Sequence, residues 1–133
     1  QVAQARAAHP ALRLEIGDMA ALGHADGSLG GIVSHYSIIH LAPERLGSVF
    51  REWSRALEPR APVFISFFGS RSADAHGTPF DHRVVTAHEL DPETVGDRLG
   101  ASGFTKVEIT AAPSPAGGRP FDQAIVLARR HAY

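Results

Sequence analysis

The sequence predicts a single α/β domain, and three observations carry that reading. Strand-like and helix-like segments follow one another in the order helix end, strand, strand, helix, strand, helix, strand, strand, with no internal repeat and no low-complexity tract. "APVFISFFG" at 61–69 is apolar on both faces, as a strand buried between two helical layers requires. And 133 residues suit one small domain, not two.

The elements read in order. "QVAQARAAH" is rich in helix formers and stops at Pro10, so it reads as the last turns of a helix. "ALRLEIGD" reads as a strand with Leu12, Leu14 and Ile16 on one face. The turn-rich "ADGSLGG" leads into "IVSHYSIIHL", a central strand from Ile32 to Ser34 or His35. Pro43 and Glu44 open the clearest helix, with proline at a first helical position and an acid near the positive end of the dipole. Its apolar residues Leu46, Val49, Phe50, Trp53 and Leu57 recur at spacings of three and four, which assigns Trp53 to packing, and Glu58 and Pro59 end it. "GSRSADAHGTPFDHR", 69–83, has turn residues and no period and reads as a long loop over one end of the sheet. Asp91, Pro92 and Glu93 start a second helix, with Leu90 as its hydrophobic staple, ending near Gly100–Gly103. "FTKVEIT" and "FDQAIVLARR" read as two antiparallel strands joined by "AAPSPAGGRP".

Composition excludes several classes. Thirteen basic against fourteen acidic residues leave a formal charge of −1, so there is no electrostatic case for a nucleic-acid partner. The absence of cysteine removes disulfides and thiolate metal sites and fits a reducing compartment. No apolar run reaches the length of a membrane span, and the N-terminal residues have no basic segment followed by an apolar block. A cytoplasmic protein with no membrane partner is the expectation. Eight histidines invite a metal hypothesis, but their spacing, five between His35 and His40 and six between His82 and His88, completes no recognised ligand set. The Arg129–Arg130 pair reads as a solvated end.

Five blocks in sequence, "ARAAHPALRLEIGDMAAL", "DGSLGGIVSHYSIIHL", "PERLGSVFREWSRALEP", "APVFISFF" and "LGASGFTKVEI", resemble the C-terminal part of a class I S-adenosylmethionine-dependent methyltransferase. The likeness is to the small-molecule kind found in ubiquinone and menaquinone biosynthesis, and it covers essentially the whole chain. It implies an incomplete Rossmann-like fold over residues 1–133: a mostly parallel sheet ordered 3-2-1-4-5-7-6 with the last strand antiparallel, of which strands three to seven are expected here. The first strands and the glycine-rich cofactor loop have no counterpart. Gly30 departs from the pattern, where an aspartate is usual.

The resemblance implies S-adenosylmethionine as cofactor, met by Gly17, Asp18, Met19, Ser34 and His35. Asp18 would accept from the adenine amine and Met19 would pack on the adenine ring. A carboxylate offers only acceptors and a thioether is a polarizable surface, so the chemistry agrees. A Gly-Asp pair ending a strand also serves as a plain turn, and Met19 as a core residue. His35 and Tyr36, at the end of the central strand, are the candidate catalytic pair: imidazole titrates near neutrality and a phenol donates or accepts. Both also suit plain packing, and His40 reads as structural. His76, Phe80 and His82 fall in the long loop that in the family contributes to the acceptor pocket, where they would bind substrate or pin the loop. The expected activity is methyl transfer to O, N or C of a small-molecule acceptor. The competing reading is a truncated, noncatalytic homologue that binds protein. Either way, an incomplete sheet implies self-association or a complementary N-terminal half, through the edge at 32–35 and the segment 11–17.

Overall fold

The apolar stretch that opens at Pro62 becomes the inner strand on which the remaining elements are built. The computed structural model describes residues 2–82, 85–113 and 121–133. The helix α1 (Val2–Ala8) comes first, and the sheet begins with β1 (Ile32–His35). After α2 (Leu46–Ala56), β2 (Pro62–Ser70) pairs in parallel with β1, from Ile32 opposite Val63 to His35 opposite Ser66. A hairpin of β3 (Pro79–His82) and β4 (Val85–His88) forms a separate two-stranded sheet. The helix α3 (Pro92–Ala101) then leads to β5 (Phe104–Pro113) and β6 (Phe121–Arg130). The main sheet has the order β1-β2-β6-β5, and β6 is antiparallel to both its neighbours. Three strands therefore run one way and the last strand alone runs against them, as expected for strands four, five, seven and six.

Side-chain alternation explains the layers. Val63, Ile65 and Phe67 of β2 and Ala124, Val126 and Ala128 of β6 turn to one face and are almost wholly buried. Leu46, Val49, Phe50 and Trp53 of α2 and Val95 and Leu99 of α3 cover them in one continuous core. Asp91 caps α3, its Oδ2 accepting from Thr94 N at 3.0 Å and from the Thr94 hydroxyl at 2.7 Å. Gly69 is required where β2 meets both α3 and β6: a Cβ there would lie 2.9 Å from Ala124 Cβ and 3.3 Å from Pro92 Cγ.

Four expectations meet a different structure. Residues 11–17 form no strand; Leu12 is 59% and Ile16 82% exposed. A strand is held by its neighbours, and no neighbour pairs with this one. Arg6 instead donates to Leu14 O at 2.8 and 3.1 Å, tying the segment back to α1. The stretch 69–83 is not all loop, because Gly77 N donates to Glu89 O and Glu89 N to Thr78 O, which sets the register for β3 and β4. Helix 43–57 begins as a 3-10 turn, Pro43–Arg45, before α2 proper. The connection expected at 111–120 is partly strand, since β5 reaches Pro113, and from 114 on lies outside the described residues. Among the described residues, no helix is long and apolar enough to cross a membrane.

Candidate functional site

In open α/β sheets the crevice beyond the carboxyl ends of parallel strands is where ligands sit, and β1 and β2 end together here. His35 closes β1, and Tyr36 turns the chain with φ of 50°, a left-handed conformation unfavourable for a bulky residue. Its backbone is fixed by Tyr36 N donating to Ser66 O at 2.9 Å. The two rings meet edge to face, with centroids 4.9 Å apart. His35 Nδ1 and Ser66 Oγ share a hydrogen bond of 2.7 Å, and the imidazole is otherwise exposed. Burial raises the Tyr36 pKa above its ordinary value of 10, so the phenol stays protonated near neutrality. Tyr36 packs on Phe68 at 4.9 Å, and Phe68 meets Phe80 at 5.4 Å and Phe121 at 4.9 Å. Phe80 thus joins His35 and Tyr36 at one end of the sheet through Phe68. Ser70 Oγ, at the end of β2, is buried with no hydrogen-bond partner among the described residues.

Beside β1 lies an apolar slot of about 230 Å³, lined by Met19, Leu22, Leu29, Ile32, Ser34 and Trp53 among others. The helix α2 places it. Trp53 Nε1 donates to Met19 O at 3.2 Å, Leu22 N donates to Glu52 Oε2 at 2.7 Å, and Arg55 bridges Glu52 at 2.8 Å and Asp26 at 2.6 Å. Hydrogen bonds from Arg55 hold the Glu52 carboxyl below the usual range, helped by Leu22 N. Residues 19–29 are strapped to the helix this way. Ser34 and Ser37 share a hydroxyl bond of 2.8 Å at the slot's inner wall.

A thioether and an indole border the slot, both polarizable apolar surfaces. Asp18 stands next to Met19, outside the slot's lining. Its Oδ1 accepts from Ala20 N at 2.9 Å, and Arg45 Nη2 lies 3.9 Å away. That is the local turn of the plainer reading, but Oδ2 remains open as an acceptor among the described residues. Gly17 sits in exposed chain with nothing within 4 Å of where a Cβ would be.

His76 is not brought to this crevice. Its Nδ1 accepts from Asp91 N at 2.9 Å, and it borders a different cavity with Pro43, Glu44 and Arg98. Desolvation lowers its pKa below 6.5; Asp91 opposes the shift and Arg98 adds to it. His82 ends β3, and its side chain lies outside the described part. Among the described residues no three His, Asp or Glu side chains gather as metal ligands. Sequence reasoning missed Ser66, Ser37, Phe68 and Phe121. A single serine inside the otherwise apolar run 62–68 was the available signal for Ser66.

No family model matches the chain, and no curated protein sequence does. Solved structures do. An S-adenosylmethionine-dependent methyltransferase from Mesorhizobium loti superposes with a TM-score of 0.73 at 22% identity, covering 97% of this chain and 75% of its own. Another from Methanosarcina mazei gives 0.70 at 14%, over 90% of this chain and 67% of the other. The 1,6-didemethyltoxoflavin-N1-methyltransferase of Burkholderia thailandensis, solved with bound 1,6-didemethyltoxoflavin and S-adenosylhomocysteine, gives 0.67 at 22%, over 85% and 48%. This chain therefore spans about half to three quarters of the structures it resembles. At these identities the likeness establishes one thing: the chain has the fold of S-adenosylmethionine-dependent methyltransferases.

Proposed function

We propose that this chain is the acceptor-side part of a class I methyltransferase that uses S-adenosylmethionine to methylate O, N or C of a small molecule. The observation that carries the reading is the meeting of an apolar slot at Met19 and Ser34 with the His35–Tyr36 pair at the carboxyl end of β1. A fold alone hosts many functions, so the reading rests on this site. The slot would take adenine, with Asp18 Oδ2 accepting from its amine. The bound cofactor supplies a sulfonium-activated methyl group. His35 serves as base: when its Nδ1–H donates to Ser66 Oγ, Nε2 is unprotonated and can take a proton from the acceptor. Tyr36, protonated, donates a hydrogen bond that orients the acceptor, and Phe68 and Phe80 supply an apolar wall. Positioning carries much of such a reaction, because methyl transfer needs in-line geometry more than elaborate machinery.

The ubiquinone-like acceptor class and the cytoplasmic setting belong to the same proposal. So does a partner: a complementary N-terminal half, or a second copy, completing the sheet at β1. The second reading, a noncatalytic homologue working as an interaction module, is favoured by that open strand edge alone.

Chemical-shift mapping with S-adenosylhomocysteine tests the site. If the glycine-rich cofactor loop belongs to the complementary half, as this proposal has it, binding by this chain alone should be weak, with Kd of about 1 mM or above, and shifts should gather at Asp18–Leu22 and Ser34–Tyr36. Shifts elsewhere, or none, would remove the slot as an adenine site. Micromolar binding by a monomer would show that the loop is dispensable.

A further inference from the structure

Arg129 and Arg130 do not form a plain solvated end. With Arg60, Lys106, Thr105 and Ala132 they wall a cavity of about 330 Å³. Four of these six residues are cations and none is an acid. Among the described residues, no carboxylate comes within 4.0 Å of any of the four. Glu58, close in sequence to Arg60, has its carboxylate on the Gly30 side instead, and Glu108 lines an adjoining cavity that shares Lys106 and Arg129.

The backbone holds these charges at a cost. Only three non-glycine residues among those described have positive φ, and two of them are Arg60 at 68° and Lys106 at 54°. Lys106 sits where the β5·β6 register slips between Thr105 and Glu108, a bulge that re-aims the chain. Glycine or asparagine would adopt these angles with less strain, yet both places carry long cations. The two arginines are fixed differently: Arg129 Nη1 donates to Arg60 O at 3.0 Å and Arg130 Nε to Ser54 O at 2.9 Å. Neutral carbonyls thus anchor the guanidinium groups without cancelling their charge, leaving further N–H groups to bind.

The cavity is far from the crevice. Pro62 lies opposite Arg129 at one end of β2, and Ser70 opposite Phe121 at the other. Eight residue steps at about 3.3 Å place the two ends about 26 Å apart. A cationic sulfonium cofactor has no reason to enter a cavity of four positive charges.

We propose that this cavity binds a small, multiply charged oxyanion, with a diphosphate group as the chemistry it fits. Guanidinium forks meet phosphoryl oxygens two at a time, and Arg129 and Arg130, already anchored on carbonyls, lose less freedom on binding than unanchored side chains would. Calorimetric titration of the whole chain with inorganic pyrophosphate at low salt should give saturable binding with Kd below about 1 mM, weakening as salt is raised. Lys106→Gly and Arg60→Gly separate binding from folding. Each relieves a left-handed strain, so thermal stability should hold or rise, while affinity should fall roughly tenfold. Citrate should bind at least about fivefold more weakly than pyrophosphate, because its carboxylates are fewer-pronged and differently spaced. Absence of saturation up to about 5 mM pyrophosphate, or unchanged affinity in both glycine variants, would overturn the site. Citrate binding as tightly as pyrophosphate would overturn the phosphoryl assignment. The shifts caused by S-adenosylhomocysteine at Met19 stand apart from all these outcomes, since they report the other end of the sheet.

Discussion

A carboxylate can only accept, so what Asp18 contributes depends on which oxygen is already spent. Oδ1 closes the turn onto Ala20 N, and Oδ2 is the oxygen that the proposed adenine contact would use. Asp18→Ala, in an assembled and active form, should weaken cofactor binding by about 1.5–3 kcal/mol, the range of a charge-assisted hydrogen bond. Turnover should change less, since adenine lies away from the transferred methyl and its contact is much the same in ground and transition states. Titration with S-adenosylhomocysteine beside a kcat measurement checks both, and unchanged affinity would take Asp18 out of the site. His76 makes a different prediction, one of stability. Its folded pKa lies below 6.5 because burial disfavours the charged ring. Above pH 6.5 both folded and unfolded chains hold it neutral and the Asp91 N–H bond is intact. As pH falls below that value the unfolded chain takes up a proton that the folded chain resists, so stability declines until the folded pKa is passed. In His76→Asn, Oδ1 can replace Nδ1 as acceptor without titrating. Thermal midpoints taken between about pH 7.5 and about pH 5 should drop further in the wild type than in this variant. Equal slopes would place the acid sensitivity elsewhere.

Capping shows why some elements are written plainly in the chain and others are not. Asp91 is followed by proline, an acid and then Thr94, and the carboxylate does accept from Thr94 N and from its hydroxyl. Asp91→Ala should cost about 1 kcal/mol, within the 0.5–2 range for lost caps, and Asp91→Asn much less. Chemical denaturation of the two variants is the check; equal losses would mean that the His76–Asp91 backbone contact, not the cap, holds the start of α3. Local signals of this kind made β1, α2, β2, α3, β5 and β6 legible, because period, cap and turn residues all act within a few positions. Residues 11–17 have the same alternation, yet strand formation there depends on a neighbour that sequence alone does not supply. The β3–β4 hairpin failed in the opposite direction: Pro79, Asp81 and His82 are poor strand residues, and the pairing is imposed by backbone bonds between 77–78 and Glu89. Among the candidate residues of the crevice, His35, Tyr36 and Phe80 are legible through their place at strand ends and in loops. Ser66 and Phe68 were hidden inside a run that reads as core, and Arg129 and Arg130 acquire their role from Arg60 and Lys106, distant in sequence.

At the scale of the whole molecule, the sheet's two edges are unlike. β5 is interrupted by the bulge at Thr105/Glu108 and carries Lys106 and Glu108, the devices by which natural sheets discourage further pairing. β1 has none of these: Ile32, Val33, Ser34 and His35 run without bulge, proline or formal charge, apart from the titratable imidazole. Its outer backbone groups have no strand beside them among the described residues, Val33 is 75% exposed, and the apolar slot at Met19 and Leu29 opens next to it. An edge that offers both backbone groups and apolar surface is a template for another strand. We therefore expect pairing at β1 and not at β5. Sedimentation velocity over a concentration series should show association by about 100 μM, a concentration at which even weak edge pairing is populated. Val33→Lys should abolish it by placing a charge against the incoming strand, while Glu108→Lys on the other edge should leave it unchanged. Hydrogen exchange gives the local reading: amides of β1 should become slower as the chain is concentrated, and those of β5 should not. A wild-type chain that stays monomeric at about 100 μM, with β1 amides exchanging at the same rate throughout, would rule out a second copy as the occupant of this edge.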